Sequence, residues 1–170
     1  MSRPIPRQAA PELDIATLDG RWQLSERKPK AFSMIVFYRG LHCPICKGQL
    51  RDLNRKAAEF ANRGVEFIAV SGDSRERAEQ SSSDWGIDGV PLGYGLDESS
   101  AREWGLYVST AIRESEPPTF YEPGLFLVRP DGVLYAASTQ SMPFSRPSFE
   151  DILNAVDFIA DNDYPARGEA

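Results

Sequence analysis

The hydrophobic pattern alternates between continuous apolar runs and three-to-four spacing. Residues 1–11 carry three prolines and little pattern, and read as a tail or a surface strap. "LDIATLDGRWQL" alternates on either side of a turn at "LDG", which suits a short hairpin. "AFSMIVFY" (31–38) is apolar without a break from Met34 to Tyr38, as expected of a buried central strand. From Pro44 to Asn62 the period becomes helical. Cys46, Leu50, Leu53, Ala57, Phe60 and Ala61 fall on one face with charged residues between them, and Gly64 suits the position after a helix end.

"VEFIAVS" (65–71) reads as a second buried strand. Asp73 and Glu76 have the spacing of a capping box for a helix that Gly86 stops. "VPLGYG" suggests a third short strand and "DESSAREWG" a short helix ending at Gly105. Residues 106–122 show no clear period, and "ESEPPTFYEP" reads as a proline-rich loop. "GLFLV" and "VLYAAS" flank "RPDG", a turn between two strands. Ser148 with Asp151 caps a last helix whose apolar face is Phe149, Ile152, Leu153, Val156 and Ile159. "NDYPARGEA" reads as an exposed tail. The alternation predicts an α/β layer fold with parallel strands at its centre and an antiparallel hairpin at one edge.

Composition narrows the picture. The chain of 170 residues suits one domain, taken as residues 12–162 between tails at 1–11 and 163–170. A net charge of -6 argues against nucleic acid or an anionic membrane as the main partner. The segment from Arg39 to Lys56 is nonetheless locally basic. No apolar run has membrane-spanning length and no secretory h-region is visible, so a cytoplasmic, thiol-reducing setting is expected.

The chemistry concentrates in "FYRGLHCPICKGQL" (37–50), which holds both cysteines and the only histidine. Cys43 lies where a buried strand ends and a helix begins, and Pro44 suits the first helical turn because its missing N–H costs nothing there. Unpaired helical N–H groups near Cys43 would favour its thiolate. Cys46 follows one turn later within disulfide reach and should be the less exposed thiol. Cys43 is therefore expected to attack and Cys46 to resolve. The competing readings are a zinc site, for which two cysteines and one histidine are too few ligands, and a pair of inert core cysteines. His42 could tune Cys43 or carry a proton, or be a surface ring beside it. Arg39 and Arg51 could each bring positive charge to a thiolate, or be solvated. No cofactor and no metal is called for.

The same segment resembles the active-site region of the peroxiredoxin-like branch of the alkyl hydroperoxide reductase/thiol-specific antioxidant (AhpC/TSA) family. The resemblance runs from about Leu13 to Ile159. It implies a thioredoxin-like fold with a central mixed sheet flanked by helices and an extra strand and helix at 90–105. It places the family's peroxidatic cysteine on Cys43. Two positions depart from the family pattern. Gly40 stands where a Thr or Ser is usual, and Pro123 stands where an Arg is usual. Pro123 is instead similar to the cis-proline that faces the CxxC pair in thioredoxins, with Glu122 before it presenting backbone groups to a substrate. A cis Glu122–Pro123 bond is expected on that ground. The resemblance favours a peroxide substrate, whereas CPxC and Pro123 favour a disulfide, and the two stay open here. Either cycle needs an external thiol reductant such as a thioredoxin or glutathione system. A third option is a redox-sensing or binding module governed by the disulfide state. The oligomeric state, a homodimer among the options, is not set by the sequence.

Overall fold

The computed structural model describes residues 3–170. The N-terminal hairpin pairs β1 (Asp14–Thr17) with β2 (Gly20–Gln23). The apolar run forms β3 (Phe32–Phe37), and the helical period that follows forms α1 (Pro44–Asn62). Next come β4 (Val65–Val70), α2 (Arg75–Trp85), the two-residue β5 (Leu92–Gly93) and α3 (Glu98–Glu103). Two three-residue strands, β6 (Val108–Thr110) and β7 (Thr119–Tyr121), form a separate hairpin. The chain continues through β8 (Gly124–Val128), β9 (Leu134–Thr139) and α4 (Phe149–Asn162).

Seven strands form one mixed sheet in the order β2-β1-β5-β4-β3-β8-β9. β3, β4 and β5 run parallel, and β8 joins β3 antiparallel with Phe37 opposite Gly124. β3 is buried on both faces, and its side chains divide with the period of two that a strand dictates. Met34, Val36 and Tyr38 enter a core with Leu50, Leu53 and Phe60 of α1 and Phe149, Leu153 and Val156 of α4. Ile35 and Phe37 face the other way, into a core with Trp22, Ala101, Trp104 and Phe126. No helix among the described residues is long and apolar enough to cross a membrane.

Four local readings change. The cap of α2 is Ser74, whose side chain accepts from Arg77 N, and not Asp73. Asp73 is 2% exposed and turned inward, so its carboxylate serves the cysteine loop. The segment 106–122 is partly ordered as the β6–β7 hairpin, which includes Thr119–Tyr121 of the expected proline-rich loop. Its strands are too short to show a period. The C-terminal segment is not wholly exposed: Ala166 is buried, its carbonyl accepts from Arg7 Nε at 2.9 Å, and Tyr135 Oη donates to the Tyr164 carbonyl at 2.8 Å. On the N-terminal side, Arg7 N donates to Leu134 O and Leu134 N to Gln8 O, each at 2.8 Å, so this strap follows the β9 edge.

Candidate active site

The site lies where β3 hands the chain to α1. Cys43 is the N-cap of α1, with extended backbone, and Pro44 follows in the first turn. The Cys43 sulfur accepts the Cys46 backbone N–H at 3.2 Å, one of the donors that a helix start leaves unpaired. Both thiols are free and both are buried, Cys43 at 2% and Cys46 at 0% exposure. The expected contrast in exposure is therefore slight. The contrast lies in charge. The Cys43 thiol is lowered to about 5, chiefly by a hydrogen bond from the Cys46 thiol, against the opposing effect of burial; the Cys46 N–H and the Arg146 guanidinium add to the lowering. The Cys46 thiol is pushed well above its ordinary value, first by burial and then by the neighbouring Cys43 sulfur.

Arg146 is the group that sequence reasoning missed. It sits on the connection between β9 and α4 and reaches back over the first turn of α1. Its Nη2 lies 3.6 Å from the Cys43 sulfur and its Nη1 lies 3.3 Å from the Cys46 sulfur. The same Nη1 donates to Gln49 Oε1 at 2.9 Å, and Nε donates to the Pro143 carbonyl at 3.0 Å. Beside it opens a cleft of 360 Å³, lined in part by Ile45, Gln49, Phe144 and Pro147. No local motif marks Arg146, because its role depends on how the last connection crosses the sheet.

The expected arginines are occupied elsewhere. Arg39 Nε lies 3.0 Å from Glu122 Oε2, and Arg39 Nη2 donates to Glu122 Oε1 at 3.3 Å. The Nε contact is close but poorly aligned, so the pair is held more by charge than by an ideal fork. The Arg39 guanidinium also covers the Phe120 ring at 4.7 Å. Only its backbone reaches the thiols, where Arg39 N donates to the Cys46 sulfur at 3.4 Å. Arg51 donates to the Trp85 carbonyl. His42 packs edge-on against Phe120 at 4.7 Å, and neither ring nitrogen has a hydrogen-bond partner among the described residues. Burial, then the charge of Arg39, lowers its pKa, so the ring favours the neutral form.

Glu122 and Pro123 also differ from expectation. No cis peptide bond occurs among the described residues, so the Glu122–Pro123 bond is trans. Glu122 does not offer a free backbone edge: its N–H donates to Tyr107 O at 2.8 Å, closing the β6–β7 hairpin. Its carboxylate, buried with the residue 4% exposed, accepts from Ser109 Oγ at 2.7 Å and faces Arg39. The Pro123 carbonyl accepts from Gln140 N. At the position that resembles a substrate-docking edge, the Glu122 N–H and the Pro123 carbonyl are thus engaged internally.

Gly40 has a structural reason to lack a side chain. Its φ is +139°, and a Cβ there would lie 2.7 Å from Asp73 Oδ1. That carboxylate is fixed by Leu41 N at 2.8 Å and Arg77 Nε at 3.1 Å. Asp73 therefore fills the space that a side chain at position 40 would need. The Gly40 carbonyl in turn accepts from Cys43 N at 3.1 Å.

A buried thiol pair at a strand-to-helix turn, under an arginine, on a mixed sheet flanked by helices, defines a thiol-based redox protein of thioredoxin-like fold. The profile of the AhpC/TSA family matches residues 6–137, and the chain belongs to that family. It is accordingly a thiol-dependent peroxidase or oxidoreductase. No curated protein matches the chain. Solved structures agree on the fold. Peroxiredoxin 6 of Arenicola marina, in a cysteine-to-serine mutant form, superposes with a TM-score of 0.78 at 18% identity, covering 91% of this chain and 73% of that one. Peroxidoxin BcpB of Mycobacterium tuberculosis gives 0.76 at 14% identity, over 92% and 99% of the two chains. AhpC of Enterococcus faecalis gives 0.74 at 19% identity, over 96% and 99%.

Proposed function

We propose that the protein reduces peroxides through a Cys43–Cys46 dithiol/disulfide cycle. The Cys43 thiolate attacks one peroxide oxygen and the O–O bond breaks. Cys43 becomes a sulfenic acid, and the departing alkoxide or hydroxide takes up a proton from solvent. The Cys46 thiol then condenses with the sulfenic acid, forming the disulfide and releasing water. Two thiols of an external donor, of the thioredoxin or glutathione kind, restore the pair and leave as a disulfide. A reducing compartment such as the cytoplasm suits this cycle.

The observation that carries this reading is a buried Cys43 whose sulfur accepts the helix-start N–H of Cys46 and lies 3.6 Å from the Arg146 guanidinium, donors that favour the thiolate. A peroxide is small enough to reach such an atom, whereas a polypeptide disulfide needs an open edge. Arg146 also supplies N–H groups near where the peroxide oxygens would sit, the kind of donor that stabilises developing negative charge. Thiol–disulfide exchange is the second reading. The two cysteines in one helical turn favour it, but the trans Glu122–Pro123 bond and the engaged Glu122 N–H weigh against a docking edge there.

The division of labour is tested by Cys46→Ser. After one equivalent of peroxide, this variant should accumulate a sulfenic acid on Cys43 that dimedone traps, while the wild-type protein yields an intramolecular Cys43–Cys46 disulfide in peptide maps. Trapping on Cys46 in Cys43→Ser at the wild-type rate would reverse the assignment.

A further inference from the structure

We propose that Gln49 is a positioning residue for this thiol chemistry, holding the Arg146 guanidinium over both sulfurs without neutralising it. The inference rests on the reading of Cys43 as the reactive thiolate and extends it to the residue that keeps the arginine in place.

Gln49 lies on α1 three residues after Cys46 and six after Cys43, on the side of the helix that the β9–α4 connection crosses. Its Oε1 accepts from Arg146 Nη1 at 2.9 Å, and that same Nη1 stands 3.3 Å from the Cys46 sulfur. With Nε fixed by the Pro143 carbonyl, the planar guanidinium is held at both ends, and the remaining Nη2 is directed to Cys43. Among the described residues, every partner of Arg146 other than the sulfurs is an uncharged oxygen. This differs from Arg39, whose charge is spent on Glu122, and from Arg77, which pairs with Asp73. An amide oxygen can orient an arginine at full positive charge. A carboxylate in the same place would compete with the thiolate for it. The choice of Gln over Glu at position 49 thus keeps the charge available to Cys43.

The test uses the full chain in its reduced form and needs no peroxide. Ultraviolet thiolate absorbance and iodoacetamide alkylation are followed against pH for the wild type, Gln49→Glu, Gln49→Leu, Arg146→Met and the Gln49→Glu/Arg146→Met double variant. In Gln49→Glu the Cys43 midpoint should rise by about one unit from near 5, so alkylation should fall about twofold at about pH 6 and about tenfold at about pH 4. Well above the ordinary thiol range, alkylation should match the wild type. Gln49→Leu should shift the same way by less. In the Arg146→Met background, Gln49→Glu should add little, because its effect passes through the arginine. An unchanged midpoint in both folded Gln49 single variants would overturn the proposal. So would an undiminished Gln49→Glu shift in the Arg146→Met background, since the new charge would then act on the sulfur directly. Failure of the protein to consume peroxide would sink the peroxidase reading but leave these titrations standing.

Discussion

Arg146 follows Cys43 by 103 positions, yet its guanidinium reaches both sulfurs. A hydrogen bond to a charged group is worth about 1.5–3 kcal/mol, or roughly one to two pKa units. Arg146→Met should therefore raise the Cys43 pKa by about that much, which lowers the thiolate fraction at neutral pH by at most about twofold; losing the donors aimed at the peroxide oxygens should bring the total slowing to at least about tenfold. Stopped-flow kinetics check this, and an unaltered rate would remove Arg146 from the chemistry. At this scale the sequence showed whatever was local. Cys43, Pro44 and Cys46 follow from one strand-to-helix junction, and their geometry matches the reading of that junction. Arg39 and His42 were visible as neighbours, but their surroundings were not. Arg39 is taken by Glu122, and His42 is packed against Phe120 with no polar partner among the described residues. The cis assignment of Pro123 came from resemblance alone, and the hydrogen bonds on either side of it accompany a trans bond.

Among the elements, the loop from Arg39 to Cys43 is fixed from two sides. Asp73, just before α2, accepts from Leu41 N and fills the space beside Gly40. From the other side, the β6–β7 hairpin brings Phe120 and Glu122 against His42 and Arg39. Gly40→Ala would place a Cβ against a carboxylate that two donors hold still, at a φ that L residues rarely adopt. Such strain costs about 1–3 kcal/mol, so the melting temperature should fall by roughly 2–12 °C in a chain of this size. The melting curve of the reduced variant measures it, and an unchanged midpoint would show that the loop yields freely. The capping-box reading of Asp73 and Glu76 failed because two neighbouring residues, Asp73 and Ser74, can both cap α2. Tertiary demand for a carboxylate under the cysteine loop decides between them. The β6–β7 hairpin was illegible for another reason: each strand is three residues long, and what orders them is contact with the loop rather than their own pattern.

For the whole molecule, the mixed sheet and its helices were readable because β3, β4, α1 and α4 have long, strongly periodic segments. The crossing of the β9–α4 connection over α1, which completes the site, was not readable, because it follows from how α4 packs against α1, far away in sequence. The fold thus brings two buried sulfurs and an arginine without a carboxylate partner together in one spot, which is the arrangement the proposed peroxide-reducing cycle would use. Mixing the reduced protein with equimolar hydrogen peroxide across a pH series tests this most directly, with peroxide and free thiols followed in a single turnover. The account predicts rapid loss of two thiols per peroxide, with a rate that rises with pH through a midpoint near 5, where Cys43 becomes a thiolate. Slow peroxide loss at every pH, alongside rapid exchange with an added disulfide, would contradict it.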